Sequence, residues 1–334
     1  MEDKLVFVIG PPRSGSTMLQ RMLGSHPDIY TRPEPHIVTP LAHLGYFANV
    51  ERAPYDHINA AEAIREYVEE LPGGEEDYLN ACRAYTNELY GKMLAKSGRR
   101  IFVDKTPAYA LVLPFLARLY PRAKYIVLTR HPLAVLSSYA NSFFEGDYQA
   151  AQEFNDILGR YVPAMAAFIR RKKTPCFHVR YEDLVSEPRT RLAGIFAYLD
   201  LPDEPGAVNY GAQRHTQGSY GDPKVKHRDR PDGQSLHNWA ADLAADARKL
   251  EIARRAIEPL DPEDIAAWGY DKASLFDPVG LAAARPQRPN PAWTLDSYRL
   301  KRKVFLALRS RLNDNRLKGA LRRVRYYCDV LLRD

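Results

Sequence analysis

The stretch LVFVIGPPRSGSTML, residues 5–19, decides how the chain folds. Its first part, LVFVIG, is a short run of β-branched and apolar residues, which predicts a buried strand. The glycine-containing segment after it predicts a loop, and a helical period follows from about Ser16 to Ser25. A strand, a glycine loop and a helix in this order expose backbone N–H groups and the positive end of the helix to an anion. The stretch therefore predicts an anion-binding loop.

Three more short apolar segments predict strands: RIFVDK (100–105), KYIVLTR (124–130) and PCFHVRYE (175–182). Segments of helical period lie across AYALVLPFLARLY, from Pro132 onward, and over about residues 150–172. Between Ala53 and Gly98, a further helical stretch broken by a Pro-Gly-Gly turn fits an insertion over one edge of the sheet. Strands that alternate with helices are typical of a parallel sheet. The sequence predicts an α/β fold of the P-loop type, with a central parallel sheet flanked by helices in three layers.

Composition limits the classes of function. The chain has 334 residues, 45% of them hydrophobic, so it can bury a large core. The net charge of +7 lies in the C-terminal part: residues 285–334 carry 14 Lys and Arg against 4 Asp and Glu, whereas the preceding residues carry 34 against 37. Because the larger part is slightly acidic, nucleic-acid binding is not expected. The first apolar run has about six residues, too few for a signal core or a membrane span, so we expect a cytoplasmic protein.

The loop lacks one residue that triphosphate-binding loops depend on. Gly10, Gly15 and Thr17 match the pattern G-x-x-x-x-G-K-[ST], but Ser16 stands in the lysine position. The nearest cation is Arg13, inside the loop. A triphosphate needs lysine charge and a metal ion at its terminal phosphates. A single 5′-phosphate that carries a sulfuryl group has less charge there and suits the planar guanidinium of Arg13.

A second motif lies at the end of the third strand predicted above. Arg130 closes that strand, and Ser138 follows eight residues later on the next helix. At about 1.5 Å rise per residue, the two side chains can bridge an adenosine 3′-phosphate. Both motifs stand at carboxyl ends of predicted parallel strands, where open α/β sheets bind ligands. We therefore expect one nucleotide to contact both.

These residues resemble the sulfotransferases that use 3′-phosphoadenosine 5′-phosphosulfate (PAPS). PPRSGSTML looks like their 5′-phosphosulfate loop, and VLTRHPLAVLSSY looks like their 3′-phosphate motif. The similarity continues through SHPDIYTRPEP, DKTPAYALVLPFLARLYPRAKYIVLTR and VRYEDLVSEP, which are typical of the bacterial and tyrosylprotein-type branch. It covers roughly residues 5–240. The resemblance implies a PAPS-dependent sulfotransferase that releases adenosine 3′,5′-bisphosphate (PAP).

The resemblance also implies catalytic roles. Glu34, in TRPEPH, takes the position of the general base, while Arg13 and Lys105 take the positions that stabilise the transition state. His36 is a rival base, because some family members use histidine from a different segment. Lys105 could instead only pair with its neighbour Asp104, and Glu34 could be a solvated loop acid.

The same correspondence implies the nucleotide-binding residues. Tyr181 resembles a residue that lines the nucleotide, although an aromatic after a buried strand is equally suited to the core. In the long loop over 218–235, either Lys224 or Lys226 is expected to close over the 3′-phosphate. No metal is expected, because His215, His227 and His237 lack zinc-type spacing. The predicted set for the donor is Arg13, Ser14, Gly15, Ser16, Thr17, Arg130, Ser138, Tyr181 and Lys224.

We divide the chain into a sulfotransferase catalytic domain (1–283), a proline-rich linker (284–293) and a basic amphipathic helical tail (294–334). The tail is expected to pack on the catalytic domain or on the partner of a homodimer, or else to contact an anionic membrane surface. The acceptor is expected to be a hydroxyl on a carbohydrate, a lipid-linked molecule, a phenol such as tyrosine, or a natural product. Two other functions stay open: a P-loop kinase or NTPase, and an inactive protein that keeps the nucleotide pocket.

Overall fold

A computed structural model describes residues 1–47, 57–212, 228–233 and 236–283. Lys224 and Lys226, the linker (284–293) and the basic tail (294–334) lie outside these residues, so the predictions for them stay predictions. The proposed catalytic domain (1–283) is likewise a division made on the sequence. In the described part of the chain, every helix is too short or too polar to cross a membrane.

Five parallel strands form one central sheet, which confirms the predicted α/β fold. Spatial order is β2-β3-β1-β4-β5, with β1 in the middle. Because all strands run in the same direction, their carboxyl ends meet at one edge of the sheet. The strands are β1 (Leu5–Ile9), β2 (Ile29–Pro33), β3 (Ile101–Lys105), β4 (Lys124–Thr129) and β5 (Cys176–Arg180).

The sequence prediction missed β2, IYTRP. It pairs only with β3, so it is an edge strand, and only Ile29 is buried. An edge strand needs fewer apolar residues than a central one, and it tolerates proline. Its short, mixed pattern therefore does not stand out. The strand matters for function because Glu34 follows it directly.

Helices cover both faces of the sheet, which gives the predicted three layers. Alternation along β1 sends Phe7 into one core cluster and Val6 and Val8 into the other. The helices in chain order are α1 (Ser16–Gly24), α2 (Val38–Ala42), α3 (His57–Glu70), α4 (Glu75–Ser97), α5 (Leu113–Leu119), α6 (Pro132–Phe143), α7 (Tyr148–Phe154), α8 (Ile157–Arg171), α9 (Tyr181–Ser186), α10 (Pro188–Tyr198), α11 (Asn238–Ala244), α12 (Ala247–Ile257), α13 (Pro262–Ala267) and α14 (Asp277–Ala283).

Two predicted helices differ in detail from the observed ones. The helix expected over about residues 150–172 is two helices, α7 and α8, because Asp156 interrupts it and caps α8 through a 2.9 Å bond from the Gly159 N–H. The segment AYALVLPFLARLY begins as a 3₁₀ helix (Pro107–Leu111) before α5.

The helical insertion consists of α3 and α4, separated by the expected turn, and α4 packs on β3. Tyr90 of α4 is fully buried and lies edge-on against Phe102 of β3, with the ring centroids 5.0 Å apart. The insertion thus reaches the strand that ends in Lys105.

Phe7 of β1 is predicted to contribute much more to stability than an exposed aromatic residue does. It is fully buried among four tyrosine rings at centroid distances of 5.6 to 6.5 Å: Tyr90, Tyr109, Tyr120 and Tyr125. Phe7→Ala should lower the free energy of unfolding by about 3 to 5 kcal/mol, because it leaves a cavity. The control Phe154→Ala removes a half-exposed ring and should cost about 1 kcal/mol or less. Urea unfolding measures both, and equal losses would contradict the packing described.

Candidate active site

The loop between β1 and α1 has the backbone geometry of an anion-binding turn. Arg13 and Gly15 have φ angles of 69° and 90°, in the left-handed region. A Cβ atom on Gly15 would lie 2.3 Å from the Tyr181 ring, and one on Gly10 would lie 2.9 Å from the Leu128 carbonyl oxygen. Both glycines are therefore required by close packing, and Gly15 also by its φ angle.

The two predicted phosphate motifs are joined directly. Arg13 Nε donates to Ser138 Oγ at 3.2 Å, and Arg130 Nη1 donates to the Arg13 carbonyl oxygen at 3.0 Å. Residues separated by 117 and 125 positions in the chain thus meet at the carboxyl edge of the sheet. The sequence prediction that both motifs serve one site is consistent with this arrangement.

Arg130 is held from several sides. Its guanidinium carbon lies 4.5 Å from the centroid of the Tyr181 ring, and its carbonyl oxygen accepts a 2.8 Å bond from Trp268 Nε1. Burial lowers the pKa of Arg130, with Tyr181 and Glu182 acting in the opposite direction. Its Nε is buried and has no hydrogen-bond partner in the described part of the chain. A buried cationic donor that is left unsatisfied points to a ligand with acceptor oxygens.

A cavity of about 380 Å³ lies over these residues. Five of its lining residues belong to the predicted donor site. Others were not predicted: they come from α1, α6 and α11, together with Tyr210 and Arg228. The lining consists of Arg13, Gly15, Met18, Arg130, Ala134, Ser137, Ser138, Asn141, Ser142, Tyr181, Tyr210, Arg228, Asn238, Trp239 and Asp242.

Arg228 and Trp239 are the most informative of the residues that the sequence analysis missed. Arg228 brings a third arginine to the cavity, and its only signal in the sequence is its place in the basic run KVKHR at 224–228. Trp239 stacks on His131 with the ring centroids 4.4 Å apart. Burial, with Arg130 and His237, lowers the pKa of His131 to about 3, so this histidine is neutral at pH 7. Tyr181 was expected either to line the nucleotide or to belong to the core. It is only 8% exposed, as a core residue is, and it also lines the cavity.

A second group of residues lies at the ends of β2 and β3. Lys105 Nζ contacts Glu34 Oε1 at 2.8 Å and Thr17 Oγ1 at 3.4 Å. His36 Nε2 lies 3.9 Å from Glu34 Oε2. The Lys105 side chain is 1% exposed and that of Glu34 is 14% exposed, so the pair is largely shielded from water. Glu34 thus lies beside the lysine, and His36 lies beside Glu34.

Lys105 does not pair with its neighbour Asp104. Successive side chains of a strand point to opposite faces, so Asp104 lies on the other side of β3. Its carboxylate accepts bonds from the hydroxyls of Tyr90 (2.6 Å), Thr106 (2.9 Å) and Tyr109 (3.0 Å). Burial raises the pKa of Asp104 to about 6, although the three hydroxyls lower it.

The remaining loop residues differ in exposure. Ser14 is fully buried, and a Cβ atom on Gly10 would lie 2.8 Å from its Oγ, so the Ser14 side chain does not line the cavity. Ser16 is the buried first residue of α1, and Thr17 is partly exposed beside Lys105. The assignment of these three residues to the donor stays a prediction. Within the described ranges, no three His, Cys, Asp or Glu side chains are placed to hold a metal ion.

The chain belongs to the sulfotransferase family, because the model of that family matches residues 6–205. Nodulation protein NoeE of Sinorhizobium fredii is 29% identical over 296 residues, which is 80% of this chain and 66% of NoeE. Protein-tyrosine sulfotransferase 1 of Danio rerio is 23% identical, with 86% of this chain and 81% of that protein covered. The chain thus spans just under two thirds of the length of NoeE.

Two solved structures share the fold. The sulfotransferase domain from the curacin biosynthetic pathway superposes with a TM-score of 0.51 at 23% identity, covering 75% of this chain and 96% of that domain. The sulfotransferase domain from the Synechococcus PCC 7002 olefin synthase gives a TM-score of 0.50 at 23% identity, covering 77% and 95%. At 23% identity these superpositions show a shared fold, and that fold is the predicted α/β architecture.

For PAP, the nucleotide that the sequence predicts, Gly15→Ala should lower the affinity, because the added methyl group meets the Tyr181 ring and the backbone cannot keep its φ angle of 90° without strain. We expect a loss of affinity of about 100-fold or more in calorimetric titration. Gly91→Ala is the control: this glycine is inside α4 with open space around it, so the alanine should stabilise the protein by about 0.5 to 1 kcal/mol and leave binding unchanged. Unchanged affinity in the Gly15 variant would contradict the geometry.

Asp104 is predicted to make stability depend on pH. Its pKa is about 6 in the folded state and 3.8 without the fold, so the folded protein binds the extra proton as the pH falls through 6. As the pH falls from 7 to 4, the free energy of unfolding should therefore rise relative to that of Asp104→Asn, by up to about 3 kcal/mol. Asp183→Asn is the contrast: the hydrogen bond from Arg180 lowers the pKa of Asp183 below 3.8, so its contribution should stay nearly constant from pH 7 to pH 5 and be lost as the pH falls below about 3.8. Denaturant unfolding at each pH measures both differences, and a flat difference for Asp104 would contradict the shift.

Proposed function

We propose that this protein transfers a sulfuryl group from PAPS to the hydroxyl of an acceptor and releases PAP. The observation that carries the proposal is the connection from Ser138 through Arg13 to Arg130, which joins both phosphate motifs at one cavity. Membership of the sulfotransferase family supports the same reaction. A triphosphate enzyme is less well supported, because Ser16 replaces the lysine that such loops use.

The residues around the cavity fit a nucleotide with two separate phosphates. We propose that the loop N–H groups and Arg13 bind the 5′-phosphosulfate, while Arg130 and Ser138 bind the 3′-phosphate. The unsatisfied Nε of Arg130 supports this assignment, since phosphate oxygens can accept from it. Tyr181 and Trp239 line the same cavity and offer ring surfaces to the adenine. Arg228, which belongs to the same basic run as Lys224 and Lys226, brings a further positive charge to the cavity.

The transfer step uses the group at the ends of β2 and β3. In the proposed step, Glu34 takes the proton of the acceptor hydroxyl, and the acceptor oxygen forms a bond to sulfur in line with the leaving group. The bond between sulfur and the bridging oxygen breaks, and the negative charge that collects on the 5′-phosphate is stabilised by Lys105 and Arg13. The contacts of Lys105 with both Glu34 and Thr17 support its place between the base and the loop.

Glu34 is the better candidate for the base than His36. Its carboxylate oxygen lies 2.8 Å from Lys105 Nζ, so the proposed base and the proposed transition-state cation are adjacent. His36 lies 3.9 Å from the other carboxylate oxygen, and its side chain is 41% exposed, whereas that of Glu34 is 14% exposed.

The acceptor is proposed only as a class, a hydroxyl-bearing molecule. Similarity to a protein-tyrosine sulfotransferase supports a phenolic acceptor, and carbohydrate, lipid-linked and natural-product hydroxyls stay in the proposal. A cytoplasmic location, homodimer formation and membrane contact through the tail (294–334) stay predictions from the sequence.

The test is calorimetric titration with PAP and, separately, with ATP and magnesium. PAP should bind selectively, and Arg130→Ala should weaken it by about 10- to 100-fold, because two charge-assisted hydrogen bonds to the 3′-phosphate are lost. Arg255→Ala is the matched control, since this exposed arginine pairs with Glu251 on α12, outside the cavity lining. Preference for ATP, or equal affinity in both variants, would overturn the proposal. A screen of phenol, tyrosyl peptide and oligosaccharide acceptors with labelled PAPS follows, with Glu34→Gln as its control.

A further inference from the structure

We infer that Tyr109 is a positioning residue for the candidate base, because its hydroxyl ties the Glu34 loop to the strand that carries Lys105. The part played by Glu34 rests on the proposed function. The contact between Tyr109 and the loop is a separate matter of geometry and can be tested without any acceptor.

The loop in question, residues 34–37, connects β2 to α2 and has an unusual backbone. Glu34 and His36 have φ angles of 31° and 54°, in a region that residues with side chains rarely occupy. Such conformations persist only where surrounding contacts hold them. The orientation of the Glu34 carboxylate therefore depends on what fixes the two ends of this loop.

One end is fixed by strand pairing. Pro33, the last residue of β2, lies in register with Lys105 of β3. The Lys105 ammonium then contacts Glu34 at 2.8 Å, so the first part of the loop follows the end of β3.

The other end is fixed by Tyr109. The hydroxyl of Tyr109 accepts a 3.1 Å hydrogen bond from the backbone N–H of Val38, the first residue of α2. The same hydroxyl donates a 3.0 Å hydrogen bond to Asp104 Oδ2. Val38, Tyr109 and Asp104 are all fully buried, so water cannot replace either bond. A phenol that both accepts and donates is required here, because a backbone N–H and a carboxylate are a donor and an acceptor.

Consecutive residues of β3 thus hold the loop from opposite faces of the sheet. Lys105 contacts Glu34 directly, and Asp104 reaches Val38 through the Tyr109 hydroxyl. Loss of that hydroxyl leaves the Val38 N–H buried without an acceptor, and the cheapest relief is a shift of the loop toward water. Such a shift changes where the Glu34 carboxylate points.

The cluster itself provides a matched control. Tyr90 donates to the same oxygen, Asp104 Oδ2, at 2.6 Å, and it is as deeply buried as Tyr109. Among the described residues, the Tyr90 hydroxyl makes no hydrogen bond to residues 34–38. Tyr90→Phe and Tyr109→Phe therefore remove the same kind of bond to the same carboxylate, but only the second removes the acceptor of the Val38 N–H.

The first experiment is amide hydrogen exchange on the full chain. In the unmodified protein the Val38 amide should exchange about a thousandfold more slowly than an amide of a free peptide, because it is buried and bonded. In Tyr109→Phe the Val38 amide should exchange about tenfold faster or more, while the loop over residues 10–15 is unchanged. In Tyr90→Phe the Val38 amide should keep its rate. Fast exchange at Val38 in the unmodified protein would overturn the inference even if Tyr109→Phe failed to fold, and equal rates in the two variants would overturn it as well.

The second experiment connects the position of the loop to chemistry. The rate of PAP formation from PAPS in buffer, with water as the acceptor, should fall about tenfold in Tyr109→Phe and stay within about twofold in Tyr90→Phe. PAP affinity should stay unchanged in both variants, since the cavity lining does not include either tyrosine. An unmodified protein that binds PAP but forms none from PAPS would count against the proposed function, whereas faster exchange without slower PAP formation would count against the positioning role.

Discussion

The hydrogen bond from Arg130 to the carbonyl oxygen of Arg13 is the contact on which the donor site depends. It fixes the loop after β1 against the end of β4, two neighbouring strands of a parallel sheet. Arg130 is itself held by the Tyr181 ring and by Trp268, so the loop is attached to a rigid support. A preorganised loop loses little conformational entropy when an anion binds, and this favours recognition of a phosphate by backbone N–H groups.

The order of the strands places the two groups of candidate site residues on opposite sides of β1. β4 and β5 stand on one side of β1, and they end just before Arg130 and Tyr181, which line the cavity. β3 and β2 stand on the other side, and they end at Lys105 and just before Glu34. The loop after the central strand lies between the two groups. In the proposed reaction, this arrangement would let the nucleotide and the acceptor approach the transferred group from opposite sides.

Much of the fold could be predicted because central parallel strands are buried on both faces and therefore appear as apolar runs. The edge strand β2 lacks that signal and was missed, although the resemblance still identified Glu34 beside it. Arg228 and Trp239 come from segments without a periodic pattern, and only tertiary packing brings them to the cavity. Alternation along β3 could have excluded a pair between Lys105 and Asp104. Two of the three hydroxyls around Asp104 come from separate helices, Tyr90 from α4 and Tyr109 from the 3₁₀ helix, and only tertiary packing brings them together.

The burial of the Lys105 and Glu34 pair has a consequence for the response to ionic strength. Salt screens charges that face solvent much more strongly than charges shielded by protein. The Lys105 side chain is 1% exposed, whereas Arg13, Arg130 and Arg228 face a cavity that receives an anion from solution. For the proposed site, we therefore expect added electrolyte to weaken nucleotide binding more than it weakens the contact between Lys105 and Glu34. In the proposed reaction, ionic strength would thus act first on capture of the nucleotide.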